Sequence, residues 1–440
     1  MSYDLSSLDD RDHRRIGRRL DLFHQQDDGP GMVFWHPRGL VLYRVIEDYI
    51  RARMRRAGFA EIRTPQALSR RLWEASGHWQ KFGAQMFAFS ANDAAADGLA
   101  GPRAYALKPM SCPGHVQIFN AALHSYRDLP VRYAEFGACH RNEPSGALSG
   151  LMRLRAFTQD DAHIFCREDQ AEAEVAAFCR MLAEVYGDFG FAGVKVGFST
   201  RPAVRAGDDA TWDRAEAMLE GAARAVGLDY RLQPGEGAFY GPKLEFVLTD
   251  NRGRDWQCGT VQLDLVLPER LDAAYVDADG RRRRPVMIHH AVLGSLERFI
   301  AVLLEHYDGR LPLWLAPDQI IVASITDAQA GTARRYAEAL GAEGFRAGAD
   351  VRAERIGRKV ADALAAGVPV LMAVGAREAA DGTVSLRLGD GPAEAMPLAE
   401  AIARLKPLAV RSPSAFSIIA DRRLANAAGS ATVSPSTIRA

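Results

Sequence analysis

The sequence predicts an α+β protein: a large, mainly antiparallel sheet with helices against it, followed by a smaller α/β domain. Three observations lead there. From about residue 105 to residue 270 strand-like runs dominate, among them RYAEFGA, LRAFTQDDAHIF, KVGFST, KLEFVLTD and WQCGTVQLDLVL, and the helical stretch EAEVAAFCRMLAEVYGDFG interrupts them. After LPLWLAP the rhythm changes: QIIVASI, FRAGADV, PVLMAVG and TVSLRLG alternate with the helical stretches DAQAGTARRYAEALGAEG and ERIGRKVADALAAGV. At 440 residues the chain is also too long for one core. The domains expected are 1–311, 312–410 and a Ser/Ala/Thr-rich tail, 411–440, which has no sustained periodicity and reads as disordered.

The elements follow in order. RDHRRIGRRLDLF is a short charged helix, broken by the Pro and Gly of DDGPGMVFWHPRG. LVLYRVIEDYIRARMRRAGF places Leu42, Val45, Ile46, Tyr49 and Ile50 at helical spacing, and the strand EIRTP stops at Pro65. SANDAAADGLAGPRA (90–104) reads as an exposed loop. VMIHHAVLG runs as a strand into the helix SLERFIAVLLEHY, and RRRR (281–284), between DADG and PVM, reads as a hairpin tip.

Composition excludes some functions. Lys+Arg and Asp+Glu both number 55, so no global basic field drives indiscriminate nucleic-acid binding. Five cysteines (Cys112, Cys139, Cys166, Cys179, Cys258) and a polar N-terminal stretch point to a reduced, cytoplasmic protein. No apolar run approaches the roughly eighteen residues of a membrane span.

Polar residues concentrate in strand-like windows: MSCPGH (110–115), CHRNEPSG (139–146), RLRAFTQDDAHIF (153–165) and WQCGTVQLD (256–264). Read at period two, the third puts Arg153, Arg155, Phe157, Gln159, Asp161 and His163 on one face. That face is either the solvated side of an edge strand or the wall of a cleft. Taken singly, each arginine reads as a surface ion pair and each cysteine as a buried apolar residue. No local zinc spacing such as CxxC is present.

Together with GMVFWHPRG, SGHW, MSCPGHVQIFN, GEGAFYGPK and MIHHAVLGSLERF, these windows resemble the class II aminoacyl-tRNA synthetases and, among them, the threonyl-tRNA synthetases. The resemblance runs from about Asp12 to Leu398 in family order. It implies a class II catalytic sheet and an anticodon-binding-type α/β domain. It further implies one Zn²⁺ per chain, held by Cys112, His163 and His289 from three separate strands, with a fourth position open to substrate. ATP with Mg²⁺ would be held by Arg141, Glu143, Arg153, Phe157, Gln257 and Arg298, with Arg141 and Arg298 bracing the reacting phosphates. Threonine would be fixed by Met110, Gln159, Asp161, Tyr240 and Gln262. His78 and Lys243 are expected near the terminal ribose of tRNA, His78 as a base on the attacking hydroxyl.

The resemblance thus implies a threonine–tRNA ligase, dimeric through the long helix and the strand before Pro65. Bacterial members usually carry two further N-terminal domains, one of which hydrolyses mischarged seryl-tRNA; a ligase without its own editing domain is expected here. In the C-terminal domain Ala353, Ala361 and RLGDG (387–391) depart from the family's polar pattern, while Glu378 and Arg387 keep it. Recognition of the tRNA(Thr) anticodon is accordingly expected to be weakened. The alternative is a specialised paralogue delivering activated threonine to a carrier protein or small molecule, or a resistant second copy. His290, where the family more usually has Arg, has no reading from sequence.

Overall fold

The computed structural model describes residues 5–93, 101–250 and 252–410. The tail expected from residue 411 lies outside them. The chain divides into two units, Met1–Leu311 with Ala361–Val368, and Pro312–Val360 with Pro369–Ala440.

The first unit is built on eight strands: β1 (Ala60–Glu61), β2 (Val131–His140), β3 (Ala156–Cys166), β4 (Lys195–Ser199), β5 (Arg231–Gln233), β6 (Lys243–Thr249), β7 (Asp255–Asp264) and β8 (Val286–Ser295). They lie in the order β5-β4-β6-β7-β8-β3-β2-β1. Only the two edge pairings, β1 with β2 and β4 with β5, are parallel. Its helices include α1 (His13–Arg19), α2 (Pro37–Arg56), α3 (Cys112–Asn120), α4 (Glu168–Asp188), α5 (Asp209–Ala225) and α6 (Leu296–His306).

Local chemistry explains these elements. Pro37 opens α2, where its missing N–H is no loss, and Leu42, Ile46, Tyr49, Ile50 and Arg53 form its buried stripe. Ser295 accepts from the Arg298 N–H as N-cap of α6, which sets Arg298 in the first turn. Strand β8 is buried along nearly its whole length because it lies inside the sheet with side chains packed on both faces. Helices α4 and α5 pack on each other and over β7.

Several expectations are corrected. Arg153 and Arg155 precede β3, in a turn whose Gly150 has φ +50° and whose ends bridge Ser149 to Arg153. From Asp160 onward β3 is buried on both faces, so its alternation marks two packed sides and no solvated one. Cys112 begins α3, because Pro113 suits a first helical turn; it does not lie on a strand. The ends of the expected loop 90–104 pair as strands, Ala88–Asp93 with Gly101–Leu107, and 94–100 lie outside the described residues. Helix α5 is unforeseen: much of its buried stripe, Trp212, Ala215, Leu219, Ala222 and Ala223, is alanine, which marks an apolar face weakly.

The hairpin reading of RRRR holds: Arg282 and Arg283 pair with Val276 and Tyr275. The arginines lean on Asp272, Asp277 and Asp279.

In the second unit five strands, β9 (Ile320–Ser324), β10 (Ala347–Asp350), β11 (Val370–Val374), β12 (Thr383–Leu388) and β13 (Ala393–Pro397), lie in the order β10-β9-β11-β12-β13. The first three are parallel and the last two antiparallel. Ile320, Val322, Leu340, Met372, Leu386 and Leu405 form its core. Glu378 accepts from the Gly375 N–H at 2.9 Å and so serves a helix start. Among the described residues no helix is long and apolar enough to cross a membrane.

Candidate functional site

A cavity of about 550 Å³ opens on one face of the main sheet. Strand β3 supplies Phe157 and Gln159, β7 supplies Gln257, Thr260 and Gln262, and the start of α6 supplies Arg298. Gln257 would face away under strict alternation. A bulge, with Phe246 opposite Gly259 and Val247 opposite Gln257, turns it inward.

At one end of the cavity, arginines are held by main-chain carbonyls. Arg141 Nε donates to Pro109 O at 3.1 Å, with its guanidinium 5.1 Å from the centre of the Phe157 ring. Arg298 donates from Nε to Met152 O (2.9 Å) and from Nη1 to Gln257 O (2.8 Å). Both Nη atoms of Arg141, and Nη2 of Arg298, have no protein partner among the described residues. Arg153 lies 3.7 Å from Glu143, so these two side chains neutralise each other.

Farther along the floor, Gln159 Oε1 is buried with no hydrogen-bond partner among the described residues. A buried acceptor left unmet is costly unless a ligand supplies the donor. Beside it Tyr240 donates to Gln262 Oε1 at 2.5 Å. Lys243 Nζ is paired with Glu245 at 2.8 Å. Met110, Tyr240, Lys243 and Gln262 all line the cavity.

Cys112, His163 and His289 are brought together, all buried, with one ligand atom from each lying within 4.8 Å of the others. Antiparallel pairing places His163 directly opposite His289, and His163 Nε2 lies 2.9 Å from His289 Nδ1. One thiol and two imidazoles at this spacing form a donor set that suits zinc. The outer ring nitrogens are fixed as well: His289 Nε2 meets Asp264 at 2.9 Å, and His163 Nδ1 meets His115 Nδ1 at 2.8 Å. Such outer partners orient metal ligands. Burial, reinforced by the Asp161 and Asp264 charges, pushes the Cys112 thiol well up. Asp161 accepts from the Ser111 N–H at 3.1 Å, and burial raises its carboxyl.

His115 leads on to Glu135 (3.1 Å), and Glu135 to Lys108 (2.7 Å). Burial alone would raise Glu135, but bonds from His115, Lys108 and the Thr64 N–H bring it down to about 2 from 4.5. A depressed carboxyl stabilises the fold above its unfolded value and loses that contribution as the pH falls toward about 2. Glu135→Gln is therefore expected to destabilise by about 3 kcal/mol at pH 7. Chemical denaturation should show that difference shrinking by about 1 kcal/mol at pH 3.5. An equal difference at both pH values would contradict the linkage.

Asp160, on the opposite face of β3, accepts from the N–H groups of Val292, Leu293 and Gly294, each at 2.9 Å. It thereby secures the irregular stretch of β8 between Ala291 and Ser295 that leads into Arg298. Glu297 likewise grips the Thr158 N–H (3.1 and 3.0 Å) between Phe157 and Gln159. Sequence reasoning missed both, since a bulge leaves no periodic signal. It also missed Thr260, which period two through Gln262 would have reached, and Lys81, another cavity-lining residue.

His78 lies beside Cys112. It is fully buried, with Nδ1 on Ser76 Oγ (2.7 Å) and Nε2 3.6 Å from Cys112 Sγ, among the rings of Trp73, Phe82 and Phe239. Like Cys112, Asp161, His163 and His289, it lies off the cavity lining, and burial together with the His289 and Arg270 charges lowers it to about 3. If its contact with the Cys112 thiol makes it a support, His78→Ala should lower melting temperature and amino-acid activation together. A loss confined to acceptor charging would restore the base role.

The comparisons accord with this geometry. A family model described as tRNA synthetase class II core domain (G, H, P, S and T) matches residues 99–307, and one described as anticodon binding domain matches residues 319–408. A threonine–tRNA ligase of Gluconacetobacter diazotrophicus is 56% identical over 402 residues, covering 91% of this chain and 62% of that relative. One from Rhodospirillum rubrum is 56% identical, with 91% and 61% covered. The chain thus spans less than two thirds of the length of these relatives. Among solved structures, the RNA binding domain of threonyl-tRNA synthetase from Cryptosporidium parvum Iowa II superposes with a TM-score of 0.86 at 40% identity, covering 91% of this chain and 99% of that one. A Giardia lamblia prolyl-tRNA synthetase, 19% identical with a TM-score of 0.69, shares the fold over 90% of this chain and 79% of that one.

Proposed function

Because this chain belongs to the threonyl-tRNA synthetases, a family of class II aminoacyl-tRNA synthetases, we propose that its cavity joins L-threonine to ATP and passes the threonyl group to the 3′ end of tRNA(Thr). One observation carries this reading. A single cavity has carbonyl-anchored arginines at one end and, at the other, a partnerless buried acceptor on the strand that carries His163.

In the first half-reaction the threonine carboxylate attacks the α-phosphorus of Mg²⁺–ATP. The new P–O bond forms as the bond to pyrophosphate breaks. Arg141 and Arg298 direct their open N–H groups at the phosphate oxygens, where fixed forks meet developing charge without reorganising. Phe157 stacks on adenine and Glu143 takes its amino group; Arg153, leaving Glu143, turns to the γ-phosphate, and Gln257 completes the ATP end. Gln159 Oε1 accepts from the threonine amino group, Tyr240 and Gln262 orient it beside Met110, and Asp161 accepts the hydroxyl hydrogen. Cys112, His163 and His289 would hold Zn²⁺, which supplies a Lewis acid for the amino group and hydroxyl of threonine. Lys243 lies where the acceptor end of tRNA enters.

A site built for a hydroxyl rejects valine by a factor on the order of 10⁴, whereas serine, short of one methyl, is disfavoured only about 10- to 200-fold. The proposed setting is the cytoplasm. The assembly is a homodimer through α2 and β1, to be read as twice the chain mass in light scattering. The test of the function is threonine-dependent ATP–pyrophosphate exchange run beside charging of purified tRNA(Thr). Both are expected, and exchange without charging would contradict the transfer step.

A further inference from the structure

Between Arg141 and Ala156 the chain leaves the sheet as a loop that carries Arg153 and Glu143. Inside it the bonds are those of turns, such as Met152 N–H to Ser149 O at 2.8 Å, with a bridge from Ser149 to Arg153 and Arg155 Nε on Glu143 O at 2.8 Å. Such a loop needs outside support to hold one shape.

The N-terminal segment provides it at three points. The Leu151 N–H donates to His13 Nε2 at 3.0 Å, Gln25 Nε2 donates to Gly150 O at 3.3 Å, and the Arg155 N–H donates to Gly31 O at 2.7 Å. The fit is tight. A Cβ on Gly150, whose φ is +50°, would lie 2.2 Å from His13 Nε2. One on Gly31, at φ +77°, would lie 3.2 Å from Arg155 N.

His13 is itself locked. It is 1% exposed, and its Nδ1 meets Glu305 Oε1 at 2.8 Å. Because Nε2 accepts from Leu151, the ring proton sits on Nδ1, where the Glu305 carboxylate holds it. Glu305 lies in the last turn of the helix whose first turn carries Arg298, and Arg298 donates to Met152 O. Asp12, next to His13, is taken by Arg14 (2.8 Å) and Arg252 (3.2 Å), so this acidic cluster is neutralised without a metal.

We propose that the segment from His13 to Gly31 is a clamp that keeps the Arg153-bearing loop in its ATP-binding shape, with His13 as the positioning residue. The proposal rests on the reading of that loop as part of the ATP site.

The test is the dissociation constant of Mg²⁺–ATP, by calorimetry on the full chain, for wild type, His13→Ala, His13→Gln and Gln25→Ala. His13→Ala should weaken ATP about tenfold and Gln25→Ala about threefold, as lost hydrogen bonds to an ordered loop do. His13→Gln, whose amide oxygen can take the place of Nε2, should recover ATP affinity to within about threefold of wild type. The threonine KM in exchange should stay within about twofold throughout. A merely structural histidine would lower stability equally in both His13 variants and leave ATP affinity intact, and that result would overturn the clamp. If His13→Ala does not fold, unchanged ATP affinity in Gln25→Ala overturns it alone. Weakened ATP binding in the variants of a chain that shows no threonine-dependent exchange would uphold the clamp and refute the proposed ligase.

Discussion

Arg141→Ala is expected to lower threonine-dependent ATP–pyrophosphate exchange about 10³-fold, the scale on which a phosphate-bracing arginine acts. The reason lies in how the side chain is held. Nε is fixed on Pro109 O and the plane lies over Phe157, so both Nη groups are set before ATP arrives. Arg141→Lys should recover little, because an ammonium cannot hold that carbonyl and fork onto phosphate together. Since the arginine acts mainly on the charge that develops during attack, kcat should fall more than the KM for ATP rises. A raised KM for ATP with kcat unchanged would mean that Arg141 only binds ATP. Stopped-flow adenylate formation on wild type and variants makes the comparison.

Cys112→Ser is expected to reduce threonine-dependent exchange by about 10² or more, because losing a ligand costs at least as much as the loss of an outer partner of one. Zinc content by mass spectrometry should fall in parallel, while ATP affinity stays near wild type because the arginine end is untouched. The serine hydroxyl is a hard, weakly acidic donor in place of a soft one. Retained exchange with one zinc per chain would refute the assignment of Cys112 as a ligand. Asp264→Asn, which replaces the oxygen at His289 Nε2 and can keep Oδ1 on the Val266 and Leu267 N–H groups, should weaken zinc by about 10- to 100-fold and leave exchange intact when zinc is in excess.

Sequence periodicity was sufficient for most strands of the main sheet, among them β2, β3, β7 and β8, but it missed β5 and α5. It failed where backbone irregularity decides. Gln257 faces the cavity through a bulge, and Asp160 bonds to three N–H groups of a stretch that no alternation describes. The Cys112, His163 and His289 set illustrates a second limit. His163 and His289 are 126 residues apart, and only the pairing of β3 with β8 makes them neighbours. Their spacing alone carries no signal; resemblance to a family supplied it. His13 shows the same limit, since a helix near the N-terminus meets residue 151 only through the fold. His78 shows a third: the motif singles out the histidine, but not its burial among aromatic rings 3.6 Å from the Cys112 thiol.

The central claim is that this cavity activates an amino acid that it selects by its hydroxyl. Initial rates of ATP–pyrophosphate exchange on the zinc-loaded chain, with threonine and valine compared by kcat/KM, test it most directly. The account predicts exchange with threonine and a preference over valine on the order of 10⁴. Exchange supported equally by valine, or proceeding without any amino acid, would contradict it.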